Sequence, residues 1–165
     1  VFDAAVAQRL IEVTRRSAGA GTLLVTTSRR TPEPVVEALQ AGMPAGGRFY
    51  HWTPEAEENP YLGLLGLADR CVVTGDSISM MVEVARLGKP LAIFPLPTRA
   101  GPGGRLRRVL QRAGLSGRTR DLSRLHRILI ERGLAVRLGE PFPGGGRTPV
   151  DELPKVVARV RELLG

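Results

Sequence analysis

Three features of this chain predict an α/β fold built on a parallel sheet. Short runs rich in Val, Leu, Ile and Thr recur along it, such as 22–27, 71–74 and 91–95; they are largely apolar on both faces; and helix-patterned stretches separate them at short, regular spacing. Such alternation is the mark of βαβ units, whose parallel strands are covered by helices on both sides. With 165 residues and 42% hydrophobic content, the chain supplies one full core but not two. Residues 1–165 are therefore expected to form a single domain, with core βα units in 20–95 and an Arg-rich helical region plus a closing helix in 96–165.

The elements follow in order. Phe2, Val6, Leu10 and Val13 stand at helical spacing, with Gln8, Arg9, Glu12, Arg15 and Arg16 between them, so 2–18 is an amphipathic helix ended by Gly19 and Gly21. Residues 22–27 form a first strand. Helix 32–41 follows, with Thr31 as its expected N-cap and Pro32 in the first helical position. Residues 48–52 are a second strand, and an acidic loop (Glu55, Glu57, Glu58) leads to Asn59-Pro60 and a short helix through Ala68. Residues 71–74 are a third strand, 77–87 a helix, and Gly88-Lys89-Pro90 turns the chain into a fourth strand, 91–95. A Pro/Gly loop over 97–104 precedes two Arg-rich helical patterns near 105–113 and 121–132. A short strand at 135–138, the loop 139–149 and helix 150–164 close the sequence.

The net charge of +8 is local. Residues 99–137 hold 11 arginines against Asp121 and Glu131, whereas the rest of the chain is nearly balanced. Only Lys89 and Lys155 are lysines, a bias that GC-rich coding also produces, so nucleic-acid binding ranks below a protein partner or an anionic membrane surface as a role for 99–137. The one cysteine, Cys71, lies inside a strand and excludes disulfides and cysteine-based zinc sites; no metal site is expected. No apolar run approaches the roughly 18 residues of a membrane span, and the chain is expected to be cytoplasmic, at most peripheral to a membrane.

Chemistry concentrates where strands end. Thr74-Gly75-Asp76-Ser77-Ile78-Ser79-Met80 is a strand, a glycine turn and a helix start, which aims backbone N–H groups and a helix dipole into one crevice suited to phosphate. On the following helix, Ile78, Met81, Val82 and Ala85 are expected to pack on the sheet. Asp76, Ser79, Met80 and Glu83 share another face, with Glu83 about one turn, 5–6 Å, beyond the phosphate position. The competing reading is that Asp76 or Ser77 caps the helix and Glu83 is solvated. Ser28-Arg29-Arg30-Thr31 ends the first strand, and in a parallel sheet it falls on the same carboxyl edge; arginine forks suit diphosphate. Trp52, also at a strand's carboxyl end, is placed to stack on a base or to cover the sheet edge.

Other motifs fail. There is no Walker loop and no dinucleotide glycine fingerprint. Gly75-Asp76-Ser77 resembles the block of GDSL hydrolases, but Asp121 precedes His126 by five residues instead of that family's three, and His126 is expected to pack among the arginines of its helix. Catalytic residues are not assigned.

Three blocks occur together: Thr26-Thr27-Ser28-Arg29-Arg30-Thr31-Pro32, Asn59-Pro60-Tyr61, and Ala68-Asp69 through Val72-Val73-Thr74-Gly75-Asp76-Ser77-Ile78-Ser79-Met80 to Gly88-Lys89-Pro90. In this order they resemble the mitochondrial fission ELM family, in a bacterial member, over about residues 20–95. More distantly, the order is similar to the nucleotide-sugar-binding, Rossmann-like C-terminal half of GT-B glycosyltransferases of the MurG-like group. That resemblance implies a nucleoside-diphosphate sugar as ligand, with diphosphate at Ser77 and Ser79, ribose at Glu83 and the base near Trp52 and His51. It also implies an N-terminal domain supplying the acceptor, so that this half alone is inactive. Departures from the pattern are the Asp76-Ser77-Ile78-Ser79 turn in place of a glycine-rich one, and Asp76 itself, which repels a diphosphate unless Arg29 and Arg30 or a metal offset it. The alternative implied by the plant members is a non-catalytic scaffold on the same fold.

Overall fold

The computed structural model describes residues 2–55, 59–97 and 122–144, with Ala158 and Glu162. Its elements run α1 (Ala4–Ala18), β1 (Leu24–Thr26), α2 (Glu33–Ala41), β2 (Arg48–Tyr50), α3 (Tyr61–Leu67), β3 (Cys71–Thr74), α4 (Ile78–Arg86), β4 (Leu91–Phe94), α5 (Leu122–Glu131) and β5 (Ala135–Arg137). The Arg-rich pattern near 105–113 lies outside the described residues, as do Glu57 and Glu58. Of helix 150–164 only Ala158 and Glu162 are described, both helical and exposed.

Local chemistry sets the boundaries. Asp3 caps α1 by accepting from the Val6 N–H (3.0 Å), and Gly19, at φ 59, ends the helix with its N–H on the Arg15 carbonyl. Arg15 and Arg16 complement the negative end of the dipole. At α2 the expected cap is displaced by one residue: Pro32 occupies the N-cap position, and the Thr31 hydroxyl turns back to accept from the Ser28 N–H (3.0 Å). A residue before proline is pushed out of the helical region, so Thr31 stays in the loop.

Among the described residues every strand pair is parallel, as the alternating pattern required, and the architecture is Rossmann-like α/β. The strands fall into two sheets, β1–β2 and β3–β4–β5, with β4 central and buried along its whole length. Two cores correspond to them. One joins α1 and α2 to β1 through Ala7, Ile11, Leu23, Val35 and Leu39; the other joins α3, α4 and α5 to the larger sheet through Leu65, Val73, Met81, Val84, Leu91 and Leu129. Fully covering side chains such as Met81, Leu91 and Ile93 contributes about 1.5–3 kcal/mol each.

The stripe of α4 that faces the sheet is rotated from the expected one. Met81, Val84 and Ala85 are buried and Ile78 packs beside them, whereas Val82 is 38% exposed and Met80 is half-buried against the core. At 100° per residue, the arc centred on 81, 84 and 85 leaves 82 on its outer flank.

Parallel ladders use alternate residues on each edge. Thr27 donates to the Tyr50 carbonyl (3.1 Å) and Arg48 to the Leu23 carbonyl (2.9 Å), so Leu24 and Thr26 turn their backbone groups away from β2. Likewise Cys71 and Gly75 donate to Pro90 and Phe94 of the β4 side (2.9 and 2.8 Å), so Val72 and Thr74 face the opposite edge. Amide hydrogen exchange should therefore alternate, with Thr27, Cys71 and Gly75 protected and Leu24, Thr26, Val72 and Thr74 exchanging faster. Equal protection of all seven would show that both edges are covered in solution.

Candidate ligand crevice between the two sheets

A cavity of about 730 Å³ is lined from one side by β1 and from the other by β3. Its walls are apolar, from Leu10, Ile11, Leu23, Val25, Leu39 and Val73. Its carboxyl end is a ring of hydroxyls: Thr26, Thr27, Ser28 and Thr31 from the β1–α2 junction, and Thr74 and Ser77 from the β3–α4 junction, with Met80 beside them. Asp69, Arg70 and Phe142 line the other end, where the Arg70 guanidinium lies 5.4 Å from the Phe142 ring centroid.

The two junctions differ in the donors they offer. Helix α4 begins with Ser77 in the N-cap position, but its side chain makes no capping bond; the first amide bonded back into the helix is Met81, to the Ser77 carbonyl at 3.1 Å. The amides of Ile78, Ser79 and Met80 precede that bond and have no intrahelical acceptor, as first-turn amides never do. Helix α2 offers fewer amides, because Pro32 and Pro34 have no N–H and Val35 already donates to the Pro32 carbonyl (2.9 Å). What the β1–α2 junction supplies is hydroxyls, together with the exposed Arg29 and Arg30. Its loop is internally tied, with the Arg30 N–H on the Ser28 hydroxyl (3.3 Å) and the Trp52 N–H on the Thr27 hydroxyl (2.9 Å), which fixes the end of β2 beside β1.

Of the residues singled out in the sequence, Ser28, Thr31, Thr74, Ser77 and Met80 line the cavity. Gly75 is buried in the turn behind it. Arg29, Arg30, Asp76 and Ser79 are exposed beside the two junctions, and Trp52 is half-buried past the end of β2. His51 is exposed, 3.9 Å from the Glu33 carboxylate. Glu83 is neither a lining residue nor simply solvated: the Tyr61 hydroxyl donates to its Oε2 at 2.7 Å. Burial, and then that bond, hold the Tyr61 phenol far above the usual tyrosine range.

Three contacts were missed in the sequence. Asn59 Oδ1 accepts from the Tyr61 N–H (3.0 Å), so the Asn59-Pro60-Tyr61 block both opens α3 and carries the phenol to Glu83. Lys89 Nζ donates to the Gly66 and Ala68 carbonyls (2.7 and 2.6 Å), neutralising the end of α3. His126 does not pack among its helix's arginines; its Nε2 lies 2.7 Å from the Gly75 carbonyl, in the turn itself. Fifty-one residues separate the two, a pairing that no local pattern announces. Cys71 is half-buried, and that burial pushes its thiol up, which keeps it protonated and unreactive. Among the described residues no group of His, Cys, Asp and Glu is placed to hold a metal, and no helix is long and apolar enough to cross a membrane.

Comparison with known proteins gives a family. The family described as mitochondrial fission ELM1 matches residues 1–164. The mitochondrial fission protein ELM1 of Arabidopsis thaliana is 34% identical over 73 residues, 44% of this chain and 17% of that protein. The uncharacterized protein RP120 of Rickettsia prowazekii (strain Madrid E) is 38% identical over 74 residues, 44% of this chain and 21% of its own length. The matched stretch is thus about a fifth of either relative. No solved structure matches. The family match runs through the β1–α2 and β3–α4 junctions and through the Asn59-Pro60-Tyr61 block that ties Glu83 in place; the chain belongs to the mitochondrial fission ELM1 family.

Proposed function

We propose that this chain is the nucleotide-sugar-binding half of a glycosyltransferase-like protein, holding a nucleoside diphosphate at the carboxyl end of the crevice. The observation that carries the reading is that both junctions line one cavity, one with Thr74, Ser77 and Met80 at the start of α4, where no side chain caps the helix, and the other with hydroxyls flanked by arginines. In this reading the diphosphate sits on the amides of Ile78, Ser79 and Met80 and the Ser77 hydroxyl, while Arg29 and Arg30 offset both its charge and that of the exposed Asp76. Glu83 binds ribose hydroxyls: a carboxylate has about four acceptor sites, so the bond from Tyr61 orients it without exhausting it. Trp52 covers the base. The acceptor and the catalytic base come from a further domain, and the protein works in the cytoplasm or at a membrane surface.

A second reading, a non-catalytic scaffold that binds a protein partner, is favoured by the exposed leucines of α3 and of the C-cap of α4: Leu62 at 74%, Leu67 at 76% and Leu87 at 57%. The test is titration calorimetry of the full-length protein against UDP-, GDP-, ADP- and CMP-sugars. The first reading expects one of them to bind, with affinity about tenfold weaker in Glu83→Ala, as befits loss of a charge-assisted hydrogen bond. No binding by any of them, together with capture of a partner that is lost on Leu62→Asp, favours the second.

A further inference from the structure

We propose that His126 is a positioning residue for the crevice, holding the Gly75–Asp76 peptide group so that the first-turn amides of α4 point into the cavity mouth. The contact is specific in three ways. The acceptor is a carbonyl, so Nε2 must carry the hydrogen and donate it across 2.7 Å. The N–H of Gly75 is bonded to the Phe94 carbonyl at 2.8 Å, so one side of the turn is tied to β4 and the other to α5. The ring also lies flush on the glycine: a Cβ there would stand 2.8 Å from His126 Cε1 and 3.4 Å from Nε2. Gly75 does not have a positive φ, so close approach and not backbone geometry is what requires glycine here.

The bond has an electronic consequence. A donor on the Gly75 carbonyl polarises the peptide shared with Asp76 and makes the Asp76 N–H, at the start of the turn, a stronger donor. His126 itself does not line the cavity, so it acts through the turn, not on a ligand. The functional part of this inference rests on the nucleotide reading above; the structural part does not.

The experiment compares His126→Ala and His126→Gln, the latter carrying an amide nitrogen at the Nε2 position. Exchange of the two bonded amides of the turn, Gly75 on the Phe94 carbonyl and Ser77 on the Thr74 carbonyl, should rise about tenfold in His126→Ala and return toward wild type in His126→Gln, with UDP-sugar affinity following the same order. Unchanged exchange in His126→Ala, or a folded His126→Gln that behaves like His126→Ala, overturns the proposal. If wild type binds no nucleotide-sugar, the functional reading fails while the exchange data still judge His126. Should His126→Ala not fold, long-range nitrogen–proton spectra of the wild type decide: a protonated Nε2 is expected, and a neutral ring protonated only on Nδ1 overturns the assignment.

Discussion

Met81→Ala is expected to cost about 2–5 kcal/mol of unfolding free energy, while its neighbour Val82→Ala costs less than about 0.5 kcal/mol. Met81 is fully buried, in a cluster with Val84, Ala85, Leu91 and Ile93, and truncation leaves a void between α4 and the centre of the larger sheet. Val82 is 38% exposed on the outer flank of the same helix. A domain of this size has about 5–15 kcal/mol of stability in all, so the first substitution removes a large share of it and the second almost none. Chemical denaturation followed by circular dichroism measures both. Similar midpoints for the two variants would mean that α4 is turned to bury Val82 beside Met81, as the sequence periodicity alone suggested.

That helix shows how much the chain reveals before its structure is known. The existence, order and parallel sense of the described elements followed from short two-sided apolar runs separated by helical periods, because burial on both faces leaves a strand few alternatives. The rotation of α4 did not follow: Ile78, Met81, Val82 and Ala85 fit a helical stripe nearly as well as Ile78, Met81, Val84 and Ala85, and only the neighbouring sheet and α5 decide between them. The two junctions were legible as chemistry, since Thr74-Gly75-Asp76-Ser77 and Ser28-Arg29-Arg30-Thr31 carry their signals locally, and the parallel sheet brings them to one cavity. Their inequality was legible only in part. Pro32 and Pro34 visibly lack N–H groups, yet Thr31 turning back to Ser28 depends on the loop conformation. The supports from outside, Tyr61 on Glu83, Lys89 on the α3 carbonyls and His126 on Gly75, span 21 to 51 residues and belong to tertiary structure alone.

Gly75→Ala should destabilise the fold by about 1–3 kcal/mol, the usual cost of forcing a methyl into a packed site, and His126→Ala should relieve part of that cost. The added Cβ meets His126 Cε1 at 2.8 Å and the Phe94 carbonyl oxygen at 3.3 Å. The ring is a side chain on a helix and has some freedom to give way; the carbonyl belongs to a fully buried central strand and has little. Removing the ring therefore opens one side of the site and leaves the other tight. In a double-mutant cycle the pair should fall short of additive by about 0.5–2 kcal/mol, without the double variant recovering the stability of His126→Ala alone. Strict additivity would show that the imidazole does not press on the glycine. Full recovery would mean that the Phe94 carbonyl yields, so that the ring is the sole reason position 75 cannot carry a side chain.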